Sequence, residues 1–154
     1  MTFILREANP SDADVLSSIA MRAKAHWAYS ADFMAAVAAE LRVSSTQLQS
    51  SDWLCQVAVQ DLCIVGYALV DASKAQQWVL EAMFVLPEVM GLGVGKQLMT
   101  WVKTSMRRLQ CPELMIPSDP YAEAFYVKMG ATKIGETPSD SIVGRMLPLM
   151  KLKV

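Results

Sequence analysis

The chain has 154 residues, of which 53% are hydrophobic and 19% charged, enough for one well-buried core and too few for two ordinary domains. With 14 Lys and Arg against 15 Asp and Glu, the net charge of −1 excludes the basic field of a nucleic-acid binder. The odd set Cys55, Cys63 and Cys111, with no C-x-x-C spacing and only His26 to join it, argues against both a zinc site and a disulfide framework, so no metal is expected. The first residues lack a basic segment followed by a sustained apolar one, and no apolar run approaches the roughly 20 residues that span a bilayer. These features predict one soluble, reduced, cytoplasmic domain over 1–154 with no membrane partner.

Thr2 to Ala8 begins with β-favouring residues, and Asn9-Pro10-Ser11-Asp12 supplies turn and helix-start chemistry, with Ser11 or Asp12 able to cap. Val15, Leu16, Ile19, Ala20 and Ala23 recur at helical spacing to about Lys24, and a second helical pattern runs from Asp32 to about Leu41. After the polar stretch Ser44 to Asp52, the β-rich runs Trp53 to Val59 and Ile64 to Val70 flank Gln60-Asp61 as a hairpin, and a third run covers Trp78 to Leu86. A glycine turn leads into a helix from about Gly93 to Leu109, with Val94, Leu98, Trp101 and Val102 on one face and Lys96, Lys103 and Arg107 opposite. Leu114 to Ile116 reads as a short buried strand. Asp119-Pro120 starts another helix, which Gly130 ends. The last two strands, about Thr132 to Glu136 and Arg145 to Leu152, contain Pro148, which predicts an edge or a bulge.

The turn Gly91-Leu92-Gly93-Val94-Gly95 is the most informative segment. Glycines at alternate positions let the backbone present successive N–H groups to one concavity where a helix N-terminus adds positive potential, a cradle for phosphate oxygens. The P-loop pattern would need glycine at Met90 and a hydroxyl at Gln97, and the dinucleotide fingerprint would need glycine at Lys96, so neither fits.

Val85-Leu86-Pro87 followed by Met90-Gly91-Leu92-Gly93-Val94-Gly95-Lys96 resembles the acetyl-CoA signature of the GNAT acetyltransferases, Gln/Arg-x-x-Gly-x-Gly/Ala after a Val-x-Pro strand end, with Met90 in place of the leading Gln or Arg. A second segment, Asp119-Pro120-Tyr121-Ala122-Glu123-Ala124-Phe125-Tyr126-Val127-Lys128-Met129-Gly130-Ala131, is similar to that family's Asn-x-x-Ala-x-x-Phe/Leu-Tyr-x-Lys-x-Gly motif. The resemblance implies an α/β (α+β) GNAT fold, a central mixed, mostly antiparallel sheet of six to seven strands flanked by about four helices. It implies acetyl-CoA as acyl donor, bound by Met83, Phe84, Val85, by the amides from Met90 through Lys96, and by Asp119, Ala122, Phe125 and Tyr126.

It also implies transfer of acetyl to a primary amine of a small molecule or peptide. Glu81, four residues before Val85, stands where relatives carry a glutamate base, acting directly or through water; alternatively it lines a solvated strand end or pairs with a basic residue. Tyr126 falls where the family places the donor to the leaving thiolate. Asp119 replaces the family Asn, and a plain N-cap is its other reading. For the acceptor, His26, Trp27 and Tyr29 offer a wall beside Glu81, or else simply anchor the helix pair. Arg145 suits a substrate carboxylate or a surface ion pair. A non-catalytic acyl-CoA sensor is the competing function, and the apolar Leu147-Pro148-Leu149-Met150 read as an edge predicts a homodimer.

Overall fold

The computed structural model describes residues 2–154, leaving only Met1 outside the described residues. In chain order the elements are β1 (Ile4–Glu7), α1 (Ala13–Ala25), α2 (Ala31–Val37), α3 (Ser45–Gln49), β2 (Trp53–Gln60), β3 (Cys63–Asp71), β4 (Gln77–Val85), α4 (Val94–Arg108), β5 (Glu113–Pro117), α5 (Glu123–Lys128), β6 (Thr132–Pro138) and β7 (Met146–Lys153). The strands form one seven-stranded sheet, β1-β2-β3-β4-β5-β7-β6, antiparallel throughout except at β4–β5. That single parallel pair follows from the α4 crossover, which must return the chain to the same end of the sheet.

Val65 to Val70 of β3 are buried at every position, so both faces of the sheet are covered there. The helices that touch β3 are α1 and α4. Buried Leu16, Ile19 and Ala20 of α1 and Val94, Leu98, Val102 and Met106 of α4 supply the two apolar stripes. Gly66 sets the distance to α4. A Cβ there would stand 3.1 Å from the Phe84 carbonyl oxygen and 3.2 Å from Val94 Cγ1. Gly66→Val is therefore expected to lower stability by about 1–3 kcal/mol in urea unfolding, the cost of overpacking against backbone that cannot yield.

The polar stretch after Ser44 holds α3, entered through a capping box in which the Gln47 amide donates to Ser44 Oγ at 3.1 Å and the Ser44 amide to Gln47 Oε1 at 3.0 Å. The flanking helices thus number five. The second helix stops at Val37 instead of Leu41, because Val43 is drawn to α1, where its amide donates to Ser17 Oγ at 2.9 Å. Asp12 does not cap α1; its carboxylate turns back to Arg6 at 2.9 Å and to the Asn9 amide at 2.7 Å.

The segment Leu147-Pro148-Leu149-Met150 is no edge, since β7 lies between β5 and β6. Pro148 is tolerated in this inner strand because its missing donor faces the end of β5, where only its carbonyl is used, by the Ser118 amide at 2.8 Å. On this side the outer strand is β6, largely exposed and carrying Lys133 and Glu136, so the apolar segment from which a homodimer was expected does not lie at an edge.

Candidate active site

The site begins where the parallel pair fails. β4 and β5 are paired only at Gln77–Glu113, Trp78–Leu114 and Val79–Met115, although β4 continues to Val85. Two residues account for the break. Across β3, Val70 faces Leu80 and Leu69 faces Ala82, so Glu81 is the extra residue of a β-bulge that bends the strand and re-aims its side chain. On the other wall, Pro117 ends β5 without an N–H to offer. The gap opens into a cleft of about 520 Å³ lined by Leu80 to Val85, the glycine turn, and Pro117, Asp119, Phe125 and Tyr126.

At the mouth of the cleft, Gly91 and Gly93 adopt φ of 79° and 89°, the left-handed region that favours glycine, and a Cβ at either would meet nothing within 4 Å. Conformation, not space, requires glycine there. The first helical bond of α4 runs from the Gln97 amide to the Gly93 carbonyl at 3.1 Å, leaving the N–H groups of Val94, Gly95 and Lys96 before it without intrahelical partners. The Met90 and Leu92 amides already donate to Pro87 and Val89, both at 3.3 Å, and Leu92 is 46% exposed and outside the cleft lining. Between Met90 and Lys96 the amides left without a backbone acceptor are therefore those of Gly91, Gly93, Val94, Gly95 and Lys96.

Gly95 has a different reason to be glycine. A Cβ there would stand 3.2 Å from the Phe125 ring, so its absence lets α5 close onto the start of α4. This approach brings Tyr126 beside the turn, its ring edge-on to Phe125 at 5.3 Å. Tyr126 is 6% exposed, lines the cleft and makes no side-chain hydrogen bond among the described residues. Burial, then the Asp119 charge, raises its pKa, so the hydroxyl keeps its proton and is available as a donor.

Glu81 lines the same cleft and is open to solvent, yet its pKa is raised, first by partial desolvation and then by the carboxylates of Asp140, Asp71 and Glu40. It takes part in no ion pair among the described residues. A carboxylate with these surroundings accepts a proton more readily than an ordinary one.

Asp119 is the hub of a second cluster. It caps the turn Pro120–Ala122 by accepting from the Tyr121 amide at 2.9 Å, and it accepts from Lys24 Nζ at 2.5 Å and Tyr29 Oη at 3.0 Å. Burial alone would raise its pKa, but these donors outweigh burial and hold the carboxyl below its ordinary value. Arg145 Nη2 donates to Tyr29 Oη at 3.1 Å and stands 3.7 Å from Asp119. Tyr29 reaches Asp119 because Ala28 turns the chain with a left-handed φ of 58°.

Of the acceptor candidates, Trp27, Glu81 and Arg145 line the cleft, whereas Tyr29 lies behind Arg145 and His26 is exposed, edge-on to Trp27. Trp27 stacks on Tyr121 with centroids 4.8 Å apart and planes 3° from parallel. Lys24, Tyr121 and Glu40 were not singled out from the sequence. Tyr121 adjoins the recognised Asp119-Pro120 pair and was within reach, whereas Lys24 and Asp119 lie 95 positions apart with no local signal joining them.

A family model described as acetyltransferase (GNAT) domain matches residues 15–143. The chain belongs to the GNAT acetyltransferases. Among curated proteins it is similar to the 5-NmdU N-acetyltransferase of Pseudomonas phage PaMx11, 28% identical over 149 residues that span 96% of this chain and 97% of that protein. Among solved structures, the PaiA N-acetyltransferase of Thermoplasma acidophilum, in complex with coenzyme A, superposes with a TM-score of 0.82 at 18% identity, covering 100% of both chains. A GCN5-related N-acetyltransferase of Rhodopseudomonas palustris gives 0.80 at 21% identity over 100% of this GNAT chain and 97% of its own. No helix among the described residues is long and apolar enough to cross a membrane.

Proposed function

We propose that this GNAT protein transfers acetyl from acetyl-CoA to a primary amine of a small molecule. The observation that carries the reading is the cleft itself. A row of unpartnered amides at the start of α4 opens into the same gap between β4 and β5 that holds Glu81 and Tyr126. The cradle suits the pyrophosphate, and the free edge of β4 from Leu80 to Val85 suits the amide groups of the pantetheine arm. The coenzyme A bound to the Thermoplasma relative supports the same donor.

In the proposed reaction the amine nitrogen attacks the thioester carbonyl, a C–N bond forms and the C–S bond breaks. Glu81, directly or through water, takes the proton the nitrogen loses, and Tyr126 gives one to the departing thiolate. Because a thiolate is a weak base, with a thiol pKa of about 8.5, Tyr126→Phe is expected to lower kcat by only roughly ten- to a hundredfold with acetyl-CoA affinity nearly unchanged. Steady-state rates beside equilibrium titration check this. An unchanged kcat would remove Tyr126 from proton transfer, whereas acetyl-CoA binding with no turnover in the wild type would favour an acyl-CoA sensor.

The experiment that tests the donor is calorimetric titration of acetyl-CoA against wild type and Gly93→Asp. The substitution forces a side chain onto a φ of 89° and sets a carboxylate among the amides that would face the pyrophosphate. Micromolar binding, about −8 kcal/mol, lost in the variant is expected. A folded wild type that gives no heat overturns the assignment.

A further inference from the structure

We infer that the acceptor is an amine bearing a separate anionic group, and that Arg145 docks that group; this rests on the acetyltransferase reading of the cleft. Arg145 enters the site immediately before β7, after Gly144 turns the chain with a φ of 82°. Its guanidinium lies over the Phe33 ring at 4.8 Å and the Tyr29 ring at 5.5 Å, and these two rings stack on each other at 3.9 Å. Stacking and the single bond to Tyr29 Oη fix the plane of the group before any ligand arrives.

Of the five guanidinium N–H donors, one is used by Tyr29, and Nε and Nη1 donate to no described residue, although the side chain is only 19% exposed and lines the cleft. Asp119 does not satisfy it. That carboxylate is 3.7 Å away and already takes Lys24, Tyr29 and the Tyr121 amide. Two cations, Lys24 and Arg145, thus share one carboxylate, and the excess positive charge faces the cavity from the β7 side. A planar, half-buried fork with free donors fits a carboxylate or a phosphate.

The same cleft also carries negative charge. Glu81 on β4 and Glu40 after α2 both line the cleft, with Asp71 and Asp140 near Glu81. Glu40 is engaged by the Ser141 hydroxyl, whereas Glu81 pairs with no cation among the described residues. An acceptor with an ammonium end toward Glu81 and an anionic end toward Arg145 matches both groups that the cleft leaves unpaired; a cation with several amines and no anion leaves the Arg145 donors unpaired in the complex, which costs affinity.

The test uses matched acceptors on the full chain: para-aminomethylbenzoate against its carboxamide, and phosphoethanolamine against ethanolamine, with CoA release as readout. In wild type at least one anionic member is expected to exceed its neutral partner in kcat/KM by roughly ten- to a hundredfold, mainly through KM. Which pair responds distinguishes carboxylate from phosphate. Arg145→Gln should bring that ratio to about one and Arg145→Lys restore part of it, while acetyl-CoA titration reports that each variant is folded. The same probes titrated onto the CoA-bound protein give a readout independent of turnover. If acetyl-CoA binds and no amine is acetylated, the reaction fails, yet selective binding of the anionic probes lost in Arg145→Gln still upholds the docking site. Equal kcat/KM for both partners, or equal affinity where no amine is acetylated, or a preference that survives in Arg145→Gln, overturns the inference.

Discussion

Glu81→Gln is expected to lower kcat/KM for the amine by roughly a hundred- to ten-thousandfold, the range over which a positioned base acts. The pH profile carries the sharper signature. A base works only when deprotonated, so the wild-type rate should climb as pH rises through the Glu81 pKa, which desolvation and the neighbouring carboxylates of Asp140, Asp71 and Glu40 hold above the usual carboxylate range. In the Gln variant that limb should vanish, leaving a shallow profile. Stability runs the other way. A folded-state pKa raised above the unfolded one means that the group's contribution to the fold is fully present below its unfolded pKa and is lost as pH rises through the folded value. The Gln variant should therefore melt no lower than wild type at neutral pH. A variant equally inactive because it is less stable would remove Glu81 from the chemistry and make it structural.

Asp119→Ala is the largest expected effect on stability, about 3–5 kcal/mol, because it strands Lys24, 9% exposed, without its carboxylate. It also removes the cap of the turn that leads into α5 and so loosens Tyr126. Chemical denaturation gives the magnitude. The sign with pH follows from a carboxyl held below its ordinary value: the contribution of Asp119 is present above the unfolded pKa, about 3.9, and is lost as pH falls through the lower folded value. The gap between wild type and Asp119→Ala should thus narrow in acid. Pairing Asp119→Ala with Lys24→Met should recover part of the loss, since the stranded charge goes with its partner. Full additivity of the two variants would contradict a direct buried pair.

The Asp119 pair also illustrates where sequence reasoning stops. Local patterns carried far: the period of the apolar residues fixed α1 and α4, the hairpin of β2 and β3 followed from two β-rich runs, and three glycines in five residues marked the strand-to-helix turn. The capping box of α3 is present as Ser44 and Gln47, but the stretch around it is polar and carries no apolar period to mark a helix.

What the chain by itself determined is therefore what neighbours along it can encode: element types, the backbone freedom at Gly91 and Gly93, and a carboxylate and a phenol at positions that resemble a known family. Only the tertiary structure decided that Glu81 is the bulged residue of β4, that β7 is an inner strand, that Gly95 is glycine to admit Phe125, and that Lys24 and Arg145 converge on Asp119. The reason is physical. Periodicity and turn chemistry act within a few residues, whereas strand order, bulge register and the pairing of buried charges are settled by which surfaces meet when the sheet closes its core, at separations a local pattern does not reach.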